Sequence, residues 1–184
     1  NGKSIDDLLN LRNNVKLLLD QAFPKADIDA SSSKSITLEG GSLSREIDVV
    51  ISNWHNTNKY SEKRNETYRG VKVLDTSVPC TIKNTPFLHN AWIEKKDHET
   101  GGGLRKACRL MKSLRYDGGN INLSSYDIVS IAFNMPDFLL KIPRGGELML
   151  LSSCLNYCRH LHSSLDLRNS IDVPDGHRKV FASG

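Results

Sequence analysis

The chain has 184 residues, 38% of them hydrophobic and 25% charged, with a formal net charge of +4. That balance belongs to a folded globular protein and excludes disordered and fibrous classes. No apolar run approaches the roughly 20 residues that span a bilayer, and the opening NGKSIDDLL has neither a basic n-region nor a secretory h-region, so a soluble, cytoplasmic protein with no membrane partner is expected.

Ser4 precedes an apolar series at Ile5, Leu8, Leu9, Val15, Leu18 and Leu19, with Asp7 placed as in a capping box. This predicts a helix over 5–22, stopped by Pro24. Strands are predicted over 26–30, 35–39 and 46–52, the last two separated by Gly40, Gly41 and Ser42. Residues 53–69 are polar, nearly free of aliphatic side chains, and read as a loop. After His98 helices dominate. Gly101, Gly102 and Gly103 read as a flexible hinge into a helix striped by Leu104, Ala107, Cys108, Met111 and Leu114, which Gly118 and Gly119 end. Ser124 or Ser125 can cap a second helix reaching about Phe133, and a third runs over about 146–162.

The pattern is α+β: a helix with a small mixed or antiparallel sheet over 1–75, packed on a helical lobe over 76–184, with a ligand cleft expected between them.

Strand 46–52 carries the first chemistry. Ile47, Val49 and Ile51 fall on one face and Glu46, Asp48 and Val50 on the other. An aspartate on a stiff β-branched strand suits a metal ligand in two-metal phosphoryl transfer. It equally suits the solvent side of a half-exposed strand, and the strand alone favours that plainer reading. Asp27 and Asp29 form a second carboxylate pair and read as surface residues at a strand end.

The helical half is more specific. Cys108-Arg109-Leu110-Met111-Lys112-Ser113-Leu114, then Ser124-Ser125-Tyr126-Asp127-Ile128 after a short connection, resembles the paired helix and Ser-Ser-Tyr segment of cyclic GMP-AMP synthase and its bacterial relatives. These form the CD-NTase family of the polymerase-β-like nucleotidyltransferases. The helix SIDDLLNLRNNVKLLLDQAF followed by strands and SREIDVVIS looks like the family's stretch between its first two metal carboxylates and its third. The tail Val173-Pro174-Asp175-Gly176-His177-Arg178 resembles the closing segment of bacterial members.

The resemblance implies a nucleotidyltransferase core with a helical nucleotide-binding lobe. In it Asp48 is the third metal carboxylate, Lys112 and Ser125 reach the triphosphate, and Tyr126 stacks on the base. It further implies Mg²⁺ (or Mn²⁺), nucleoside triphosphates such as ATP or GTP, and a cyclic di- or trinucleotide product acting as an antiviral signal, with a regulatory protein or nucleic-acid activator as a further partner. The family's Gly-Ser turn and Asp-x-Asp pair should precede residue 1. The chain is therefore expected to be an incomplete part of the enzyme, needing that N-terminal part and inactive alone, since one carboxylate cannot hold two divalent ions. Two other readings are a nucleotidyltransferase that modifies RNA or a protein, and an inactive nucleotide- or RNA-binding module.

Side-chain chemistry agrees with the implied roles. Lys112 lies beside an apolar stripe, so its stem can pack while its ammonium reaches a phosphate. A serine at a helix N-terminus offers a hydroxyl near backbone N–H groups, and a tyrosine offers a flat face for any base. Cys154, Cys158, His160 and His162 invite a zinc reading, but on one helix the two histidines diverge, so no structural zinc is expected. The four cysteines lack paired CxxC spacing and are expected to be reduced and mostly buried.

Overall fold

The apolar positions of the first segment share one helical face because three- and four-residue spacings return to the same side. In the computed structural model, which describes residues 2–181, they form α1 (Gly2–Ala22). Ser4 therefore lies inside the helix and not at its cap. Pro24, which has no N–H to continue the ladder, follows its end. Leu8 is fully buried against Ile51 and Leu74, with Ile5, Leu9, Val15 and Val49 packed around them. Arg12 is also buried. Its Nη2 donates to the carbonyls of Ala30 (3.0 Å), Ser32 (2.7 Å) and Ser35 (2.9 Å), which stitches α1 to the connection between the first two strands.

The chain divides into two units, Asn1–Phe87 and Leu88–Gly184. The boundary falls after the sixth strand and not at residue 75, because that strand pairs with the fifth.

In the first unit, β1 (Asp27–Asp29), β2 (Ser35–Glu39) and β3 (Ile47–Val50) form one antiparallel sheet in that order. β4 (Ser52–His55), β5 (Gly70–Asp75) and β6 (Cys80–Asn84) form a second. The predicted single strand over 46–52 is thus two strands in different sheets. Ile51 is the break: its side chain enters the core with Leu8 and Leu74, and its carbonyl accepts the Leu74 N–H at 3.1 Å.

The polar stretch 53–69 is not a loop. It contains β4, α2 (Asn58–Lys63), capped by Thr57, and a short 3₁₀ turn (Glu66–Tyr68). Cation–aromatic contacts supply what aliphatic burial does not: the Arg69 guanidinium lies 4.3 Å from the Trp54 ring centroid and 5.2 Å from that of Tyr60.

The second unit is helical. α3 (Pro86–Glu99) begins at the boundary and was not evident in the sequence, since its apolar residues form no single stripe and both Phe87 and Trp92 stay exposed. α4 (Gly103–Gly118), α5 (Ser125–Asn134), α6 (Asp137–Leu140), α7 (Glu147–Ser163) and α8 (Leu165–Ser170) follow. Leu104, Ala107, Cys108 and Met111 of α4 meet Ile128, Ile131 and Ala132 of α5 and Leu150, Cys154, Tyr157 and Leu161 of α7 in one core.

The three glycines before α4 make a fixed turn and not a flexible hinge. The Gly102 N–H donates to the Asp97 carbonyl at 2.8 Å, and a Cβ on Gly103 would stand 1.9 Å from the Leu140 carbonyl oxygen. All four cysteines are free; Cys108 and Cys154 are buried, Cys80 is half-buried, and Cys158 is exposed. Among the described residues no helix is long and apolar enough to cross a membrane.

Candidate active site

Residues directly opposite in an antiparallel ladder point to the same face. Register pairs Asp29 with Thr37 and Thr37 with Asp48, so the three stand in one row across the first sheet. Asp48 is exposed, on the side that the alternation predicts. The Thr37 hydroxyl donates to Asp48 Oδ1 at 2.7 Å, and Oδ2 makes no hydrogen bond among the described residues.

Asp29 differs. Both its oxygens turn back to Ser31, accepting from the backbone N–H at 2.7 Å and the hydroxyl at 2.8 Å, and these bonds hold the carboxyl below its usual range. Asp48 is therefore the carboxylate of the row with an oxygen to spare for a cation. Among the described residues no three His, Cys, Asp or Glu side chains converge on a metal position.

The second unit holds the other predicted residues, Lys112 on α4 and Ser125 and Tyr126 in the first turn of α5. Ser124 is the α5 N-cap, and a reciprocal capping box with Asp127 satisfies it. That leaves Ser125, the first helical residue, exposed and without capping duty. Arg115 of α4 donates to the Leu123 carbonyl at 2.8 Å and to Ser125 Oγ at 3.3 Å. Lys112 lies one turn earlier on the same side of α4, half-buried, with no hydrogen bond or ion pair among the described residues. Its charge acts on the buried Cys108, whose thiol burial nonetheless pushes up.

Tyr126 is held from several directions. Its ring stacks on His89 of α3, with centroids 4.7 Å apart and planes 22° from parallel. Its hydroxyl donates to Asp175 Oδ1 at 3.3 Å, and the Arg178 guanidinium lies 5.5 Å from the ring centroid. Burial, with the Asp175 charge and hydrogen bond behind it, pushes the phenol up to about 12. Burial likewise lowers His89, against the pull of Asp175.

Arg178 Nη2 donates to Asp127 Oδ1 at 2.6 Å. Burial raises the Asp127 carboxyl, but the Ser124 and Arg178 bonds outweigh it and leave it low. Besides Lys112, Ser125 and Tyr126, the sequence pointed to the tail that carries Asp175 and Arg178. His89 gave no signal, because its partner Tyr126 lies far along the chain, and Arg115 gave none because its bonds to Leu123 and Ser125 form only once α4 and α5 are folded. The Cys/His group does not gather: Cys154 is in the core, while Cys158, His160 and His162 are exposed.

No protein-family model matches the chain. A cyclic dinucleotide synthase, CdnE, of Yersinia aleksiciae is 38% identical over 180 residues, covering 96% of this chain and 48% of that protein. The structure of a STING-associated CdnE c-di-GMP synthase from Capnocytophaga granulosa matches with TM-score 0.82 and 28% identity, over 98% of this chain and 58% of that one. A Rhodothermus marinus CdnE c-UMP-AMP synthase solved with Apcpp and Upnpp shares the fold, with TM-score 0.71 and 19% identity, over 96% of this chain and 59% of that one. The chain spans about half the length of the curated relatives it matches. The chain belongs to the cyclic GMP-AMP synthase/DncV-like nucleotidyltransferase (CD-NTase) family.

Proposed function

We propose that this chain supplies part of the catalytic centre of a cytosolic nucleotidyltransferase, one that joins nucleoside triphosphates, ATP or GTP, into a cyclic dinucleotide signal and releases pyrophosphate. One observation carries the reading: Arg115 bonds Ser125, with Lys112 a turn away and Tyr126 next in sequence, in a chain 38% identical to a cyclic dinucleotide synthase.

Each group has a physical task. The Lys112 ammonium, unpaired among the described residues, offsets triphosphate charge. Ser125 presents its hydroxyl and the first N–H groups of α5 to an anion, while Arg115 holds that hydroxyl and adds a second cation. Tyr126 offers its ring to a base. Asp48 gives an oxygen ligand to Mg²⁺ (or Mn²⁺), which when bound neutralises phosphate charge and makes a ribose hydroxyl more acidic. Because one carboxylate cannot fix two such ions, the 184-residue chain alone forms no product.

The test is to incubate the full-length protein with Mg²⁺ and labelled nucleoside triphosphates and to look for a phosphatase-resistant small product. Asp48→Ala should abolish it. Label found in RNA or protein would replace this reading with a macromolecule-modifying one, and wild-type activity in Asp48→Ala would remove that residue from the site.

A further inference from the structure

A tyrosine in the first turn of a helix has no helical neighbour on its N-terminal side to fix its ring. Tyr126 is the second helical residue of α5, yet three residues from two elements distant in sequence converge on it. His89 comes from α3, and Asp175 and Arg178 come from the tail.

The tail segment is itself tightly built. The Val173 N–H donates to the Arg178 carbonyl at 3.0 Å, the Val180 N–H to the Ile171 carbonyl at 2.9 Å, and the Gly176 N–H to the Val173 carbonyl at 2.8 Å. Gly176 takes the left-handed conformation (φ 74°) that this turn needs. Ile171 and Val173 are buried, and Asn134 Nδ2 donates to the Asp172 carbonyl at 2.7 Å. Asp175 and Arg178 are thus presented from a fixed hairpin. On the other side, the His89 Nδ1 is buried and has no hydrogen-bond partner among the described residues. A ring nitrogen left so is a cost, and it indicates that the imidazole is placed for its face and not for its polar edge.

We propose that His89 and Asp175 are positioning residues for the base platform on Tyr126: His89 backs one face of the phenol ring and Asp175 fixes its rotation. This rests on reading Tyr126 as the base platform. Second-contact residues that lock a binding side chain in one rotamer set how well it is pre-organised. Their loss therefore weakens binding and leaves chemistry alone.

The test uses the full-length protein with ATP and GTP at saturating Mg²⁺, measuring kcat and apparent KM together with the alkaline absorbance titration of its tyrosines. Tyr126→Ala and His89→Ala should each raise KM about tenfold, the scale of one lost base–aromatic stack, with kcat within about twofold. His89→Phe, which keeps a flat partner for the ring, should restore KM to near the wild-type value. Asp175→Asn should bring Tyr126, one of two late-titrating tyrosines, down from about 12 and raise KM by a smaller factor.

If Tyr126→Ala raises KM while His89→Ala does not, the positioning role is overturned and the platform stands. If Tyr126→Ala leaves KM unchanged, the platform reading itself fails. Equal losses in His89→Phe and His89→Ala would mean that stacking is not what His89 contributes. Should His89→Ala fail to fold, His89→Phe and Asp175→Asn decide the matter.

Discussion

The Thr37 hydroxyl donates to Asp48 Oδ1 at 2.7 Å across the β2–β3 ladder. The bond spends one carboxylate oxygen on orientation and leaves the other without a hydrogen bond among the described residues. Partners of this kind typically alter metal affinity by about ten- to a hundredfold when removed. Thr37→Val in the full-length protein should therefore raise the Mg²⁺ concentration needed for half-maximal activity by about tenfold, with kcat at saturating Mg²⁺ nearly unchanged. A Mg²⁺ titration of product formation checks this, and an unchanged midpoint would separate Thr37 from the ion.

Two of the five tyrosines should ionise late. Burial raises Tyr126 and Tyr157 to about 12 from an ordinary value of 10.0. For a group whose folded value is raised, the stabilisation is fully present below the unfolded value and is lost as pH climbs through the folded one. Denaturant melts should show stability falling from about pH 10 to about pH 12. Tyr157→Phe should flatten part of that decline, and absorbance titration of the variant should lose one late-titrating phenol.

Acid should act through Asp75. Its carboxyl accepts from the Ser77 hydroxyl at 2.6 Å and N–H at 3.0 Å, with Lys34 at 3.5 Å, and these hold it at about 2, below its ordinary 3.8. A lowered value means stabilisation that is whole above the unfolded value and disappears as pH falls through the folded one. Urea midpoints of the wild type should therefore drop between about pH 4 and pH 2. Those of Asp75→Asn should be lower at pH 7 and less steep in that window.

Gly103→Ala should be strongly destabilising. The new Cβ would meet the Leu140 carbonyl oxygen at 1.9 Å, and this backbone contact cannot be relieved by a side-chain rotation. Overpacking of that kind costs about 1–3 kcal/mol or more, visible as a lowered melting temperature. A flexible hinge would absorb the methyl group with no change.

Elements with a one-sided stripe or a definite cap were legible in the sequence. Leu104, Ala107, Cys108 and Met111 marked α4, Ser124 marked the start of α5, and Pro24 the end of α1. What escaped was order built from contacts between distant polar residues. Nothing local in Asn53–Arg69 announces that Arg69 will lie over Trp54, or that β4 will pair with β5. α3 escaped because Phe87 and Trp92 are exposed on a helix without a dominant apolar face. The candidate site divides the same way. Lys112, Ser125 and Tyr126 sit close together along the chain and carry a motif, whereas His89 reaches Tyr126 only through the packing of α3 beside α5.

Ile51 is a pivot as well as a core residue. Strand β3, which bears Asp48, is hydrogen-bonded only to β2 among the described strands, and just beyond it the chain is pinned where Ile51 sinks between Leu8 and Leu74. The aim of a surface oxygen is thereby moored to an oily joint out of sight of solvent. Wear at that joint, through trimming of Leu8 or Ile51, would let the carboxylate wander while every charge the chain owns stays in place.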